Sequence, residues 1–165
     1  MDNRNGKLVV DYMYTGKGDA SAAQLDVNGT PATATAEPLA AAGLPSSVVV
    51  VLDNALSVGN ATVQLSKEDL TALTPGVGPI SELGLVTTGD GARVAAQPAT
   101  SFDAVATSFD GIVPRGNSAL WDGMVMAARL LEKTGETQRN VVLMVSSVDS
   151  ASTATYSEMI RALRA

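Results

Sequence analysis

Asp53 closes the run Val48-Val49-Val50-Val51-Leu52 and is the first residue whose type and position could do chemistry. Five consecutive apolar residues, four of them β-branched, form a strand buried on both faces, as in the centre of a parallel sheet. A carboxylate at the carboxyl end of such a strand stands in the crevice where α/β sheets hold their ligands. There it could act as an acid or base, or hold a cation. An aspartate in this place also caps the following turn through its side-chain oxygen, and the residues of this stretch by themselves favour that use. Asp122 and Asp149 are the further carboxylates that a hydrolytic or nucleotide-binding α/β enzyme would use as acid or base.

The composition restricts the partners of these carboxylates. The chain has no histidine and no cysteine, so the commonest general base, thiolate metal sites, disulfides and Ser-His or Cys-His catalysis are all excluded. Carboxylates, hydroxyls and backbone carbonyls remain, a donor set suited to Mg²⁺, Ca²⁺ or Mn²⁺. A net charge of −6 with eleven scattered basic residues argues against nucleic acid and against an anionic membrane surface. No run approaches the roughly 18 apolar residues of a membrane span, and the N-terminus lacks the apolar core of a signal peptide. The chain reads as soluble, and as a trimmed segment. With 165 residues and 45% hydrophobic content it holds one domain with a sizeable core and a small appendage.

The appendage comes first. Residues 1–6 are polar and read as frayed, Lys7 to Thr15 as a strand, and Gly16-Lys17-Gly18-Asp19 as a turn that lacks the spacing of a phosphate loop. Ala23–Val27 and Thr30–Ala36 flank Asn28-Gly29, the pair that supplies both φ > 0 positions of a type I′ hairpin turn. Pro31 places the second arm at an edge, and residues 37–47, with Pro38 and Pro45, form a linker. The small side chains around Thr33 and Thr35 cannot build a core, so 1–47 reads as a strand, hairpin and linker segment and 48–165 as the main domain.

Within the main domain, Ala61 to Thr74 reads as a helix with Ser66 and Asp69 at capping-box spacing and a stop at Pro75-Gly76. Leu83–Thr88 is a second buried strand, and Asp90-Gly91 turns it into an antiparallel third, Ala92–Ala96. Phe102, Val105, Phe109 and Ile112 share one helix face. Ser118 starts a helix carrying Leu120, Met124, Ala127 and Leu131 on one stripe, Asn140–Val145 is a fourth strand, and Tyr156, Met159, Ile160 and Leu163 mark a last helix. Strands alternating with helices predict an open α/β sheet.

From Val48 onward the chain resembles a von Willebrand factor type A domain. The resemblance is carried by the apolar strand ending in Asp53 with Ser57 four residues on, by Leu83-Gly84-Leu85-Val86 and its hairpin, by Gly116-Asn117-Ser118-Ala119-Leu120-Trp121-Asp122, and by Val141-Val142-Leu143-Met144-Val145. The N-terminal hairpin looks like the segment that precedes this domain in some exported bacterial proteins, including secretion- and pilus-associated ones. The resemblance implies a doubly wound, mainly parallel, Rossmann-like sheet of order 3-2-1-4, with strand 48–53 central, strand 3 antiparallel and helices on both faces. It also implies a domain incomplete at its C-terminus, with the edge of strand 140–146 covered by strand 7–15, by a second copy, or by nothing.

The resemblance further implies a metal-ion-dependent adhesion site, an oxygen-only Mg²⁺ or Mn²⁺ centre that accepts a carboxylate from a partner protein. Asp53 and Ser57 match the first Asp and second Ser of its D-x-S-x-S motif, and Ser118 matches its Thr with the hydroxyl kept. Ala55 stands at the first Ser and Ser147 at the last Asp, so two of the five ligands are lost. The expected site is therefore a remnant formed by Asp53, Ser57 and Ser118, with weak or absent Mg²⁺ binding and no other cofactor. The expected function is a non-catalytic protein-binding module of an extracellular or cell-surface bacterial protein, contacting its partner through a loop crest that includes Asn54, Asn117 and Asp149. The alternatives are metal-dependent binding through a remodelled site, or an enzyme using Asp53, Asp122 and Asp149.

Overall fold

The computed structural model describes residues 2–4, 7–9, 25–33, 35, 45–73, 80–100, 102–135, 138–145 and 147–165. By backbone proximity the chain divides into two compact units, Met1–Leu44 and Pro45–Ala165.

The first unit contains two small antiparallel pairs. Strand β1 (Asp2–Arg4) pairs with β2 (Lys7–Val9), so the stretch expected to fray is partly a strand. Backbone pairing suffices there, because a ladder needs no apolar side chains to satisfy its N–H and C=O groups. Strand β3 (Leu25–Val27) pairs with β4 (Thr30–Ala32) across Asn28 and Gly29, whose φ values of 52° and 79° are those of the expected type I′ turn. The second arm stops at Ala32 and does not run on to Ala36. Tyr12, Tyr14, the Gly16-Lys17-Gly18 turn and residues 37–44 of the linker lie outside the described residues.

The second unit is built on β5 (Ser46–Leu52), every residue of which is buried. The strand begins inside the expected linker because Ser47 has a partner for its buried hydroxyl: Oγ donates to Glu82 Oε2 on the neighbouring strand at 2.8 Å. Along β5 the side chains alternate between two cores. Val48, Val50 and Leu52 face one side and Val49 and Val51 the other, the period of two expected of a strand covered on both faces. Strand β6 (Ile80–Thr87) pairs parallel to β5 on one side and β8 (Gln138–Met144) parallel on the other, while β7 (Arg93–Ala99) runs antiparallel to β6. The order β7-β6-β5-β8 is the expected 3-2-1-4. Asp90 and Gly91, with φ of 58° and 97°, make the turn between β6 and β7.

Helices cover both faces. Val63 of α1 (Gly59–Leu73) and Val105 and Phe109 of α2 (Phe102–Asp110) join the core of Val48, Val50 and Leu52. Ala127, Leu130 and Leu131 of α3 (Leu120–Leu131) pack on Val49, Val51 and Val86. Helix α4 (Tyr156–Leu163) lies beside α3, with Met159 buried and Tyr156 edge-on to Trp121 at 5.5 Å. Two helix starts differ from expectation. Ser66 lies inside α1, where its Oγ donates to the Thr62 carbonyl one turn back rather than capping an end. Helix α3 begins at Leu120, because Ser118 is engaged elsewhere. The expected stop at Pro75-Gly76 lies outside the described residues.

Gly123 brings α3 close to the sheet: a Cβ there would lie 2.5 Å from Thr88 Cγ2 and 3.0 Å from Val51 Cγ1. Gly123→Ala gains about 1 kcal/mol of helix propensity but overpacks a seam where such insertions cost about 1–3 kcal/mol. Net destabilisation is expected, read as a lower urea midpoint with unchanged slope. Helix α4 opens with a full capping box, Thr155 Oγ1 accepting from the Glu158 N–H and Glu158 accepting from the Thr155 N–H. Those Thr155 hydrogen bonds, backbone first, and then the charge of Arg161 hold the Glu158 carboxyl below its ordinary value. A lowered folded value contributes stability above the ordinary glutamate range that is lost as pH falls through and below it. The protection of residues 156–163 against amide exchange, taken relative to the intrinsic rate at each pH, should accordingly fall on acidification, and Glu158→Gln should flatten that dependence.

Candidate functional site

The carboxyl ends of β5, β6 and β8 meet at one crest, and two hydrogen bonds carry the ladder just past them. Asp53 N donates to Met144 O at 2.9 Å, and Thr88 N donates to Leu52 O at 3.2 Å. Asp53 is thereby fixed between both neighbours of the central strand, with 1% of its surface exposed. Its carboxylate is fully engaged. Oδ1 accepts from the Ala55 backbone N–H at 3.1 Å and from Ser118 Oγ at 3.0 Å, and Oδ2 accepts from Ser147 Oγ. Both readings of Asp53 thus meet in one geometry, since the oxygen that closes the turn at Ala55 is also bonded to Ser118.

Each donor has its own support. Ala119 N donates to Thr88 O at 3.0 Å, and the Ser118 carbonyl accepts from Ser150 N and Ala151 N, both at 2.9 Å. Ser118 is therefore locked between the β6 end and the segment after β8. Ala55 is buried and offers only its N–H, while Ser57 is exposed and, among the described residues, no hydrogen bond joins it to Asp53. The structure brings Asp53, Ser118 and Ser147 together and leaves Ser57 apart.

Asn54 is buried as deeply as Asp53. Its Oδ1 accepts from Gly89 N at 2.6 Å, its Nδ2 donates to Val113 O at 2.9 Å, and its carbonyl accepts from Arg115 N at 2.8 Å. One side chain ties the β5 crest to the β6–β7 turn and to the loop before α3. Gly89 is required at that junction, because a Cβ would sit 2.5 Å from Asn54 O and 2.7 Å from Arg115 O.

Asp149 and Asp122 belong to a separate network. Asp149 Oδ1 accepts from Trp121 N at 3.2 Å, at the free N-terminal turn of α3, and from Ser152 Oγ. Asp122 accepts from Thr153 N at 2.9 Å and Ala154 N at 2.7 Å, anchoring the approach to α4. Asn117 is exposed, and its carbonyl accepts from Asp90 N. Among the described residues no group of three or more acidic side chains gathers in a way that could hold a metal ion.

The crest also carries three apolar side chains that the sequence pattern did not single out. Leu56, Val113 and Val148 are 68%, 60% and 80% exposed. Leu56 could have been noticed, since it follows the strand end in a tight turn with no helix or strand face to bury it.

A parallel-centred α/β sheet with its polar site above the central strand defines the class of domain. The sequence profile of the von Willebrand factor type A domain matches residues 48–150, and the chain belongs to this family. No curated protein matches the sequence. Among solved structures, the chain is similar to a von Willebrand factor type A protein from Catenulispora acidiphila, with TM-score 0.59, 17% identity, and coverage of 73% of this chain and 30% of that one. It is similar to the vWF domain of the type V pili tip protein Mfa5 from Porphyromonas gingivalis, with TM-score 0.55, 14% identity, and coverage of 70% and 43%. The PilB minor pilin from Streptococcus sanguinis matches with TM-score 0.55, 13% identity, and coverage of 63% and 30%. The chain spans less than half the length of each of these three structures. Among the described residues no helix is long and apolar enough to cross a membrane.

Truncating Asn54 to Ala would leave the Gly89 N–H and the Val113 carbonyl without their partners, at about 1–3 kcal/mol for each buried group left unmade. Asn54→Ala is expected to lower stability on the order of 2–3 kcal/mol and to accelerate amide exchange selectively at Gly89 and in residues 113–117.

Proposed function

We propose that the chain is a non-catalytic protein-binding module of an exported or cell-surface bacterial protein, with residues 1–47 as an appended segment, and that its crest recognises a partner without a resident metal ion. The observation that carries this reading is the ligand set around Asp53. A divalent cation at that place would need several hydroxyl and carboxylate oxygens together, with enough negative charge to offset its own. Here Ser147 offers a neutral hydroxyl and no second carboxylate, Ala55 has no side-chain oxygen to offer, and Ser57 is exposed. A single carboxylate also cannot neutralise a divalent charge. The residues do not fit the ion, and Asp53, Ser118 and Ser147 act as the scaffold that shapes the loops.

The enzyme alternative has little support from the geometry. Asp122 and Asp149 are occupied at helix starts, Asp53 is sealed from solvent, and a hydroxyl nucleophile would lack a histidine base. The pilus proteins that share this fold favour a role in adhesion or assembly.

A photo-reactive residue placed at Asn117 on the crest, or at Glu132 beyond the far end of α3, tests the contact face with surface extract of the source cells. Adducts with a protein from Asn117 alone are expected; equal adducts from both positions, or none from Asn117, would refute a crest-directed function. The metal part has its own test. Ser147→Asp replaces a donor by a second carboxylate beside Asp53, and two charges about 4 Å apart at an effective dielectric near 20 repel by up to about 4 kcal/mol. The variant should be less stable in EDTA and regain stability with Mg²⁺, more so when combined with Ala55→Ser, whereas calorimetry of the unmodified chain should show no tight Mg²⁺ binding.

A further inference from the structure

We infer that the partner recognised at this crest presents an apolar segment flanked by basic side chains, the reverse of an acidic ligand bridged by metal; this rests on the crest being the contact face. Two independent observations point there. The first is the set of exposed apolar side chains around the sealed carboxylate. Leu56 sits on the turn whose backbone N–H donates to Gly116 O, Val113 lends its carbonyl to Asn54, and Val148 is next to Ser147, the donor to Asp53. All three emerge from loops held to the Asp53-Asn54 pair, so they share one rigid base. Large apolar side chains kept in water on pinned loops offer contact area with little ordering cost on binding.

The second observation is charge. Within and directly bordering the crest loops, residues 53–58, 88–92, 113–119 and 147–155, Asp53, Asp90, Asp122 and Asp149 stand against Arg93 and Arg115. Arg115 is half-buried, and its Nε is enclosed without a hydrogen-bond partner among the described residues. The whole chain carries a net charge of −6. Bonds from hydroxyls satisfy Asp53 but, unlike a cation, leave its negative charge in place. A partner carboxylate approaching the crest therefore meets a field of its own sign, and a Lys or Arg beside an apolar anchor meets the opposite one. Such complementarity acts on association rate and partner choice, while the apolar contact supplies most of the affinity.

The test uses a random dodecapeptide library displayed on phage, panned on the full chain in EDTA, with the Leu56→Ser/Val148→Ser chain kept out of the selection and used as the comparison protein in the binding assay. Both substitutions are at exposed positions, and unchanged thermal unfolding will establish that the variant is folded. The expected result is enrichment of sequences with Leu, Ile, Val or Phe next to Lys or Arg. A synthetic peptide of the leading sequence should bind the double variant about tenfold more weakly in fluorescence anisotropy, and exchanging its basic residues for Glu should weaken it as well. Enriched sequences that carry Asp or Glu in place of the basic residues would overturn this inference while leaving the crest as the contact face. Sequences that bind the double variant unchanged, or no enrichment at all, would overturn both.

Discussion

Taking the Asp53 carboxylate out of water is the step on which the crest depends. A buried carboxylate without partners costs far more than any one apolar contact returns, so its position dictates where donors must be. The strand imposes that position: β5 is packed on both faces up to Leu52, and the bonds from Asp53 N to Met144 O and from Thr88 N to Leu52 O fix the next residue between β8 and β6. The donors come from separate parts of the chain, the turn at Ala55, the approach to α3 at Ser118 and the segment after β8 at Ser147. One acid thus acts on the relative placement of three loops, together with the backbone bonds from Leu56 N to Gly116 O and from Ser150 N and Ala151 N to Ser118 O.

Asn54 does the complementary work without charge. Its amide offers one acceptor and two donors in a plane, and it spends them on Gly89 N and Val113 O while its own carbonyl takes Arg115 N. An aspartate there would lose the donor to Val113 O and set a second carboxylate beside Asp53. The pair Asp53-Asn54 therefore divides the labour: the acid gathers hydroxyls, the amide gathers backbone. Gly89 completes the junction by leaving room for two carbonyl oxygens where a side chain would begin.

Much of the second unit was legible because its signals are strong and local. The β-branched run of β5, the Asp90-Gly91 turn and the stripes of α2 and α3 each reflect a period or a backbone conformation that few alternatives share. The Ser66-Asp69 spacing misled because capping depends on where the first turn lies, and α1 starts well before Ser66, at Gly59. Ser46 and Ser47 looked like linker because the Glu82 partner that satisfies Ser47 lies far along the chain. The cluster was legible in part: Asp53 and Ser118 meet as their order suggested, Ser147, expected as a lost ligand, joins them, and Ser57 does not. Asp53, Ser118 and Ser147 could be named from their order, but whether a serine donates to an aspartate or turns to solvent is a property of loop geometry. Asn54 and Ser57, separated by only two residues, end on opposite sides of that distinction.

The same geometry explains why the site can be complete within a four-stranded sheet. Every bond to Asp53 and Asn54 comes from a segment leaving β5, β6 or β8 or leading into α3, and these are the strands flanking β5 and the helix laid across it. β5 has a neighbour on each side and a helical layer on each face, so neither its register nor its burial depends on what lies beyond β8. Gly123 lets α3 sit close over Thr88 and Val51, which sets the height at which Ser118 meets Asp53. Leu143 of β8, the last strand of the described sheet, is 36% exposed and outside this chain of dependence. A change at that position alters how the sheet is covered, whereas a change at Gly123, Asn54 or Ser147 acts directly on the carboxylate's surroundings.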